Sequence, residues 1–187
     1  MKTWSITALF LTWAITQAVT ASETYSINPI NSFVLFKIRF LWAGNINGCF
    51  CGGVSGRVSF DPDAPEKSTV ELDIKTDTVN TGFAQLNKDI KSPEFLNVKQ
   101  FRLITFKSKS VQKVNNRQYT VAGDLTFHGV TKPLTLLATL TGQGTSPKSE
   151  LHTGADIHLI IKLSEFGVNY GSPVLADDVS LAIGVRK

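Results

Sequence analysis

The sequence is poor in the residues from which metal and catalytic centres are built: its 187 residues include 2 Cys and 3 His. His152 and His158 sit six positions apart, which on a strand separates them by about 20 Å, too far to share an ion. His128 stands beside Gly129 in a turn, the setting of a surface imidazole. A zinc ion needs ligands at about 2 Å, and no tight His or Cys cluster supplies them. The chain has no Gly-x-Ser-x-Gly turn for a nucleophilic serine and no glycine-rich phosphate loop. Asp177 and Asp178 are expected to be solvated in a loop before the last strand. Long linkers, charge blocks and low-complexity stretches are also absent. Lys and Arg exceed Asp and Glu by 19 to 15. The excess is scattered along alternating strand positions and forms no basic stripe, which argues against a nucleic-acid partner.

One long uncharged run is present, from Trp4 to Val19. Lys2 precedes it and small residues at Val19 and Ala21 follow, the pattern of a secretory signal cleaved after Ala21. Thr, Ser and Gln dilute the run below what a retained membrane anchor needs. No Cys follows the cleavage point to carry a lipid. Residues 1–21 are therefore expected to be a signal peptide and 22–187 one soluble domain. Losing Lys2 leaves 18 basic against 15 acidic residues, a charge of +3.

What the chain has in quantity is period two, the mark of strands with one buried face. Val34, Phe36, Ile38 and Phe40 alternate with Lys37 and Arg39, and Val70, Leu72 and Ile74 alternate with Glu71, Asp73 and Lys75. Val54, Gly56, Val58 and Phe60 form a third face. Ile104 and Phe106 lead through Asn115-Asn116 into Tyr119, Val121, Leu125 and Phe127, a predicted hairpin. Faces at Leu134 to Leu140, Ile157 to Leu163 and Val179 to Val185 bring the number to eight. Short turns between them favour a closed barrel or a sandwich. An eight-stranded barrel either fills with side chains or holds one ligand. Between Thr81 and Val98 the period changes: Phe83, Leu86 and Ile90 recur at helical spacing, and Ser92-Pro93-Glu94 reads as the start of another short helical turn. That helical segment is sized to cover one barrel end.

Cys49 and Cys51 flank Phe50 in a glycine-rich stretch. In a regular strand their Cα atoms would lie roughly 6.5–7 Å apart, near or beyond disulfide range, so a bond requires the chain to bend. A local disulfide, reduced core thiols and a soft-metal pair for Cu(I) or Zn all fit the spacing.

In order and spacing the chain resembles the YceI-like proteins. The likeness begins at Tyr25-Ser26-Ile27-Asn28-Pro29 and continues through Gly48, Phe50, Ser55-Gly56 and Phe60-Asp61-Pro62. Thr81-Gly82, Lys91-Ser92-Pro93-Glu94-Phe95 and Ile104-Thr105-Phe106-Lys107-Ser108 resemble the family's central block. Gly123-Asp124-Leu125-Thr126, Gly129-Val130-Thr131-Lys132-Pro133 and Ser164-Glu165-Phe166-Gly167-Val168 resemble its second half. The resemblance implies a periplasmic lipid-binding protein with an extended antiparallel lipocalin-like barrel. Its cavity would hold a polyisoprenoid, an isoprenoid quinone or a fatty amide. The residues assigned to it are Val34, Phe36, Ile38, Phe40, Trp42, Phe83, Leu86, Phe95, Phe106, Tyr119 and Phe127. Two departures touch the polar end of such a ligand. Phe40 stands where the family commonly places His. Leu86, Asn87, Lys88, Asp89, Ile90 and Lys91 replace its Arg-Asp-x-His-Leu-Arg series.

The expectation is thus a binding protein, not an enzyme, with no cofactor beyond the bound lipid or quinone. Membrane contact would be transient, for ligand exchange, and a homodimer is compatible with this reading. Two rivals are an isoprenoid isomerase or hydrolase using buried polar groups, and a redox-support or stress-related protein using Cys49 and Cys51.

Overall fold

The alternating faces fold into one continuous antiparallel sheet. A computed structural model describes residues 23–40, 44–145, 151–169 and 174–187. Its strands are β1 Glu23–Ser26, β2 Phe33–Phe40, β3 Gly44–Phe50, β4 Val54–Phe60, β5 Thr69–Lys75, β6 Val79–Asn80, β7 Leu103–Lys113, β8 Gln118–Phe127, β9 Val130–Thr145, β10 Leu151–Lys162 and β11 Leu175–Arg186. One α-helix, α1 Ala84–Lys91, lies between β6 and β7. The sheet runs in the order β1-β4-β5-β7-β8-β9-β10-β11-β2-β3-β6. The expected signal peptide lies outside the described residues. Among those described, no helix is long and apolar enough to cross a membrane.

The expected eight strands become eleven among the described residues. β1 and β6 are too short to show a period. β3 conceals its period because glycine occupies one inward position. A Cβ at Gly48 would run into the Phe36 ring of the neighbouring strand, so only Ile46 and Phe50 remain to mark that face.

Chain connectivity brings the two margins of the curled sheet together. β3 and β4 stand near opposite ends of the strand order, yet only Cys51, Gly52 and Gly53 separate Phe50 from Val54. A chain that short spans at most about 14 Å, so the sheet must curl until its ends approach. β6 reinforces the corner. It leaves β5 through a single 3-10 turn, Thr76–Thr78, and pairs with β3 at Cys49–Asn80 and Phe50–Val79. The buried Thr76 hydroxyl donates to the Phe101 carbonyl at 2.7 Å, tying this corner to the chain entering β7. Cys49 and Cys51 are joined by a disulfide, and their Cα atoms are 5.2 Å apart. Of the states the spacing left open, the bent chain forms the local bond.

The wall is not uniformly laddered. β8 and β9 pair along their shared length through a turn at His128-Gly129 in which both residues have positive φ, as a tight hairpin turn requires. β9 pairs with β10 only from Thr145–Leu151 to Ala138–Ile157, so its first residues are bonded to β8 alone. A Lys132–Glu165 ion pair of 3.4 Å spans this stretch.

One end of the barrel is solid. Ile27, Val58, Val111, Tyr119 and Val121 are all buried there, and the Phe60 and Tyr119 rings meet edge to face at 5.2 Å. The N-terminal segment is fastened over this end by Asn28 N–H donating to the Arg186 carbonyl and Arg186 N–H donating to Ser32 Oγ. Gly56 has φ +151, and a Cβ there would collide with the Glu71 carbonyl of the partner strand. Replacing Gly56 by Ala is expected to cost about 1–3 kcal/mol. A lower urea midpoint with an unchanged slope would show it.

Candidate ligand-binding cavity

The rest of the barrel is hollow. Inward residues of a packed core lose nearly all accessible surface, because interiors pack as densely as organic crystals. Here Phe36, Ile46, Val70, Ile104, Leu125, Leu134, Leu159, Ile161 and Leu181 point inward but stay only half-buried. They face a cavity of about 1320 Å³ of empty space, its open mouth included. β11 supplies the longest stripe, Leu175, Val179, Leu181, Ile183 and Val185, while β5 adds Val70, Leu72 and Ile74. α1 enters with Leu86, Asp89 and Ile90, and Phe95 and Leu96 follow from the turns after it. Asp89 is the one residue of another kind along it, and the surface that faces the cavity is apolar throughout.

The assigned residues divide. Val34, Phe36, Ile38, Leu86, Phe95, Phe106 and Phe127 line the cavity. Phe40, Phe83 and Tyr119 do not, which corrects their assignment to it. Phe40 ends β2 at the rim, opposite Gly44 and Leu175. Phe83 precedes α1 in an extended conformation, φ −117 and ψ 113, so the helical spacing does not govern it and its side chain is 72% exposed. Tyr119 points inward but belongs to the solid end. Trp42 lies outside the described residues. Ser92-Pro93-Glu94 begins a run of turns, not a second helix, with Phe95 N–H donating to the Ser92 carbonyl.

Sequence reasoning missed most of the aliphatic lining, although Leu72, Leu125, Leu134, Leu159, Ile161 and Leu181 all lie on faces that period two marks. It also missed Asp89. The available signal was its place three residues after Leu86 and beside Ile90, at the margin of the helix face that turns inward, while its carboxylate accepts from the exposed Gln85.

The polar groups around the cavity brace its walls. Asp177 is exposed, but it belongs to β11 and not to a loop before it. It accepts from the Ser164 N–H and the Ser164 hydroxyl, both at 2.7 Å. These two donors, backbone first, then the Lys162 charge, hold its carboxyl below the ordinary range. Lys162 is raised by its hydrogen bond to Asp178 at 2.9 Å and by that carboxylate's charge. The Ser92 hydroxyl and the Glu94 backbone N–H lower Glu94. The His128 ring, expected at the surface, packs on Phe101 with centroids 4.2 Å apart, and its Nε2 is buried with no partner among the described residues. His158 is exposed, and the side chain of His152 is among those not described. Among the described residues no three His, Cys, Asp or Glu side chains gather as metal ligands.

A match to the YceI-like domain family spans residues 25–186. A UPF0312 protein of Yersinia enterocolitica is 36% identical over 169 residues, covering 90% of this chain and 87% of that one. The fold is that of the Campylobacter jejuni YceI protein, at TM-score 0.71 and 26% identity over 95% of this chain and 98% of that one. It is also that of a polyisoprenoid binding domain from Saccharophagus degradans implicated in plant cell wall breakdown. There the TM-score is 0.64 and the identity 16%, covering 88% of this chain and 97% of that one.

Two predictions follow from this geometry. Ile104→Phe, which extends into open space, is expected to change stability by less than about 1 kcal/mol, whereas Val111→Phe at the solid end costs about 1–3 kcal/mol by overpacking. Paired thermal melts would read the contrast. A carboxyl held low stabilises the fold above its ordinary pKa of 3.8 and ceases to do so as pH falls below it. Because Asp177 is solvent-exposed, Asp177→Asn should cost under about 1 kcal/mol at neutral pH, and the difference should shrink as pH falls below 3.8 and through the lowered folded-state value. Denaturation of both proteins over a descending pH series measures it.

Proposed function

This chain belongs to the YceI-like domain family, and on that premise we propose that it is a periplasmic carrier or store for a long apolar ligand, a polyisoprenoid or an isoprenoid quinone. The observation that supports this reading most directly is the hollow lumen, whose inward aliphatic and aromatic side chains leave space that they do not fill. A tail threaded there is shielded from water, at about 0.8 kcal/mol for each buried CH₂, so affinity grows with tail length and needs no charged anchor along the tube. The polyisoprenoid binding of the Saccharophagus domain belongs to that protein and agrees in kind. Export behind residues 1–21 would place the carrier in the periplasm, where it meets the membrane only while exchanging its ligand. The cavity's near-uniform apolar lining favours binding over an isomerase or hydrolase, which would need several ionisable groups in the lumen.

The test is native mass spectrometry of protein taken from a periplasmic fraction without detergent, followed by lipid extraction. A bound species with an isoprenoid mass ladder is expected. Leu125→Trp, which fills the lumen from β8, should retain the native fold by circular dichroism and lose that species. A ligand-free mass unchanged after incubation with quinones and polyprenyl lipids would overturn the reading.

A further inference from the structure

At the hollow end of the barrel an aromatic side chain is held out in water. Phe83 is 72% exposed, yet the turn that carries it is braced. Gly82 N–H donates to Asn80 Oδ1 at 2.8 Å, and the Thr81 N–H and hydroxyl donate to Asn87 Oδ1 at 2.7 and 2.8 Å. Asn87 N–H in turn donates to the Phe83 carbonyl at 2.9 Å. Phe83 also occupies the N-cap of α1 and makes no side-chain capping bond there, where Ser, Thr, Asp or Asn would satisfy a free N–H of the first turn. Phenylalanine at this position therefore serves neither the core nor the helix. Leu86 and Ile90 of the same helix line the cavity, so the exposed ring stands next to the route into the lumen. Leu103, 44% exposed, begins β7 at this same end. From Lys75 to Arg102 five basic side chains stand against three acidic ones. Lys75, Lys88, Lys99 and Arg102 are exposed, and among the described residues none of them enters an ion pair.

We propose that this end of the barrel docks on an anionic lipid bilayer, with the Phe83 ring inserted at the headgroup level and the surrounding cations facing lipid phosphates. The proposal rests on the tail-binding reading above and names the surface at which the tail is exchanged. Amphipathic and aromatic side chains gather at the bilayer interface, and anionic headgroups attract Lys and Arg held close to them. A stable protein interface buries about 800 Å² on each partner, far more apolar surface than one projecting ring offers. A fluid interface closes around a single ring without that requirement. An apolar ligand leaving the bilayer beside Phe83 then reaches the cavity lining without crossing bulk water.

The test is flotation of protein taken from the periplasmic fraction, with vesicles of phosphatidylethanolamine and phosphatidylglycerol and with vesicles of phosphatidylcholine alone. The native protein is expected to bind the anionic vesicles about tenfold more tightly than the neutral ones, and more weakly as salt rises. Phe83→Ser supplies a capping hydroxyl and so keeps the fold; it should weaken binding to the anionic vesicles about tenfold. Lys99→Glu combined with Arg102→Glu should remove the preference for anionic vesicles. Ile30→Ser is the control, because Ile30 is 89% exposed in the N-terminal segment over the solid end, and its loss should leave binding unchanged. In a second assay, Phe83→Ser should slow the transfer of geranylgeraniol from the anionic vesicles to the protein about tenfold, without changing the amount held at equilibrium. Failure of the native protein to float with either vesicle, unchanged binding by Phe83→Ser, or an equal loss in Ile30→Ser would each overturn the docking assignment. Flotation as expected, with no geranylgeraniol held at equilibrium, would uphold the docking surface and overturn the tail-binding reading.

Discussion

The structure depends on one closure constraint. A curled sheet of this circumference must join its two margins, and it does so where β3 passes into β4 through Cys51, Gly52 and Gly53. The disulfide, the pairing of β6 with β3 and the Thr76 hydroxyl all converge on this corner. Once the margins are fixed the circumference is fixed, and with it the width of the lumen. Side chains of ordinary length can fill that width at the Tyr119 end, where Phe60 reaches across to it. Elsewhere Leu, Ile and Val leave the axis empty.

An empty interior opposes stability, because the lining forgoes the dispersion contacts that a packed core would have. Its persistence is understandable if the vacant volume is where another molecule completes the packing. The dense end and its hydrogen-bonded N-terminal segment can then hold the fold, while the hollow part, capped by α1, is left to binding. The two halves share strands but divide the work.

Much of this was legible in the sequence and some was not, for physical reasons. Period two identifies the inward face of a strand, and Val34, Phe36, Ile38, Phe106 and Phe127 were recovered that way. It cannot give height along the barrel axis, so Tyr119 on a correct face fell in the solid end. Phe83 shows the limit of helical spacing at a helix boundary, where one extended residue breaks the phase. β3 escaped notice because Gly48 yields its space to Phe36, erasing the alternation that would have announced a strand. Weighting aromatic residues over aliphatic ones also misdirected the search, since the cavity wall is mostly Leu, Ile and Val.

The incomplete ladder between β9 and β10 carries a hazard that the sequence answers locally. Where β9 is bonded to β8 alone, its other margin is an unpaired strand edge, the template on which a foreign strand could add and seed aggregation. Pro133 falls in this stretch and offers no N–H to such a strand, while Lys132 places a charge beside it and engages Glu165 across the opening. A protein with a deliberately loose interior thus keeps an interrupted stretch of its wall from becoming adhesive.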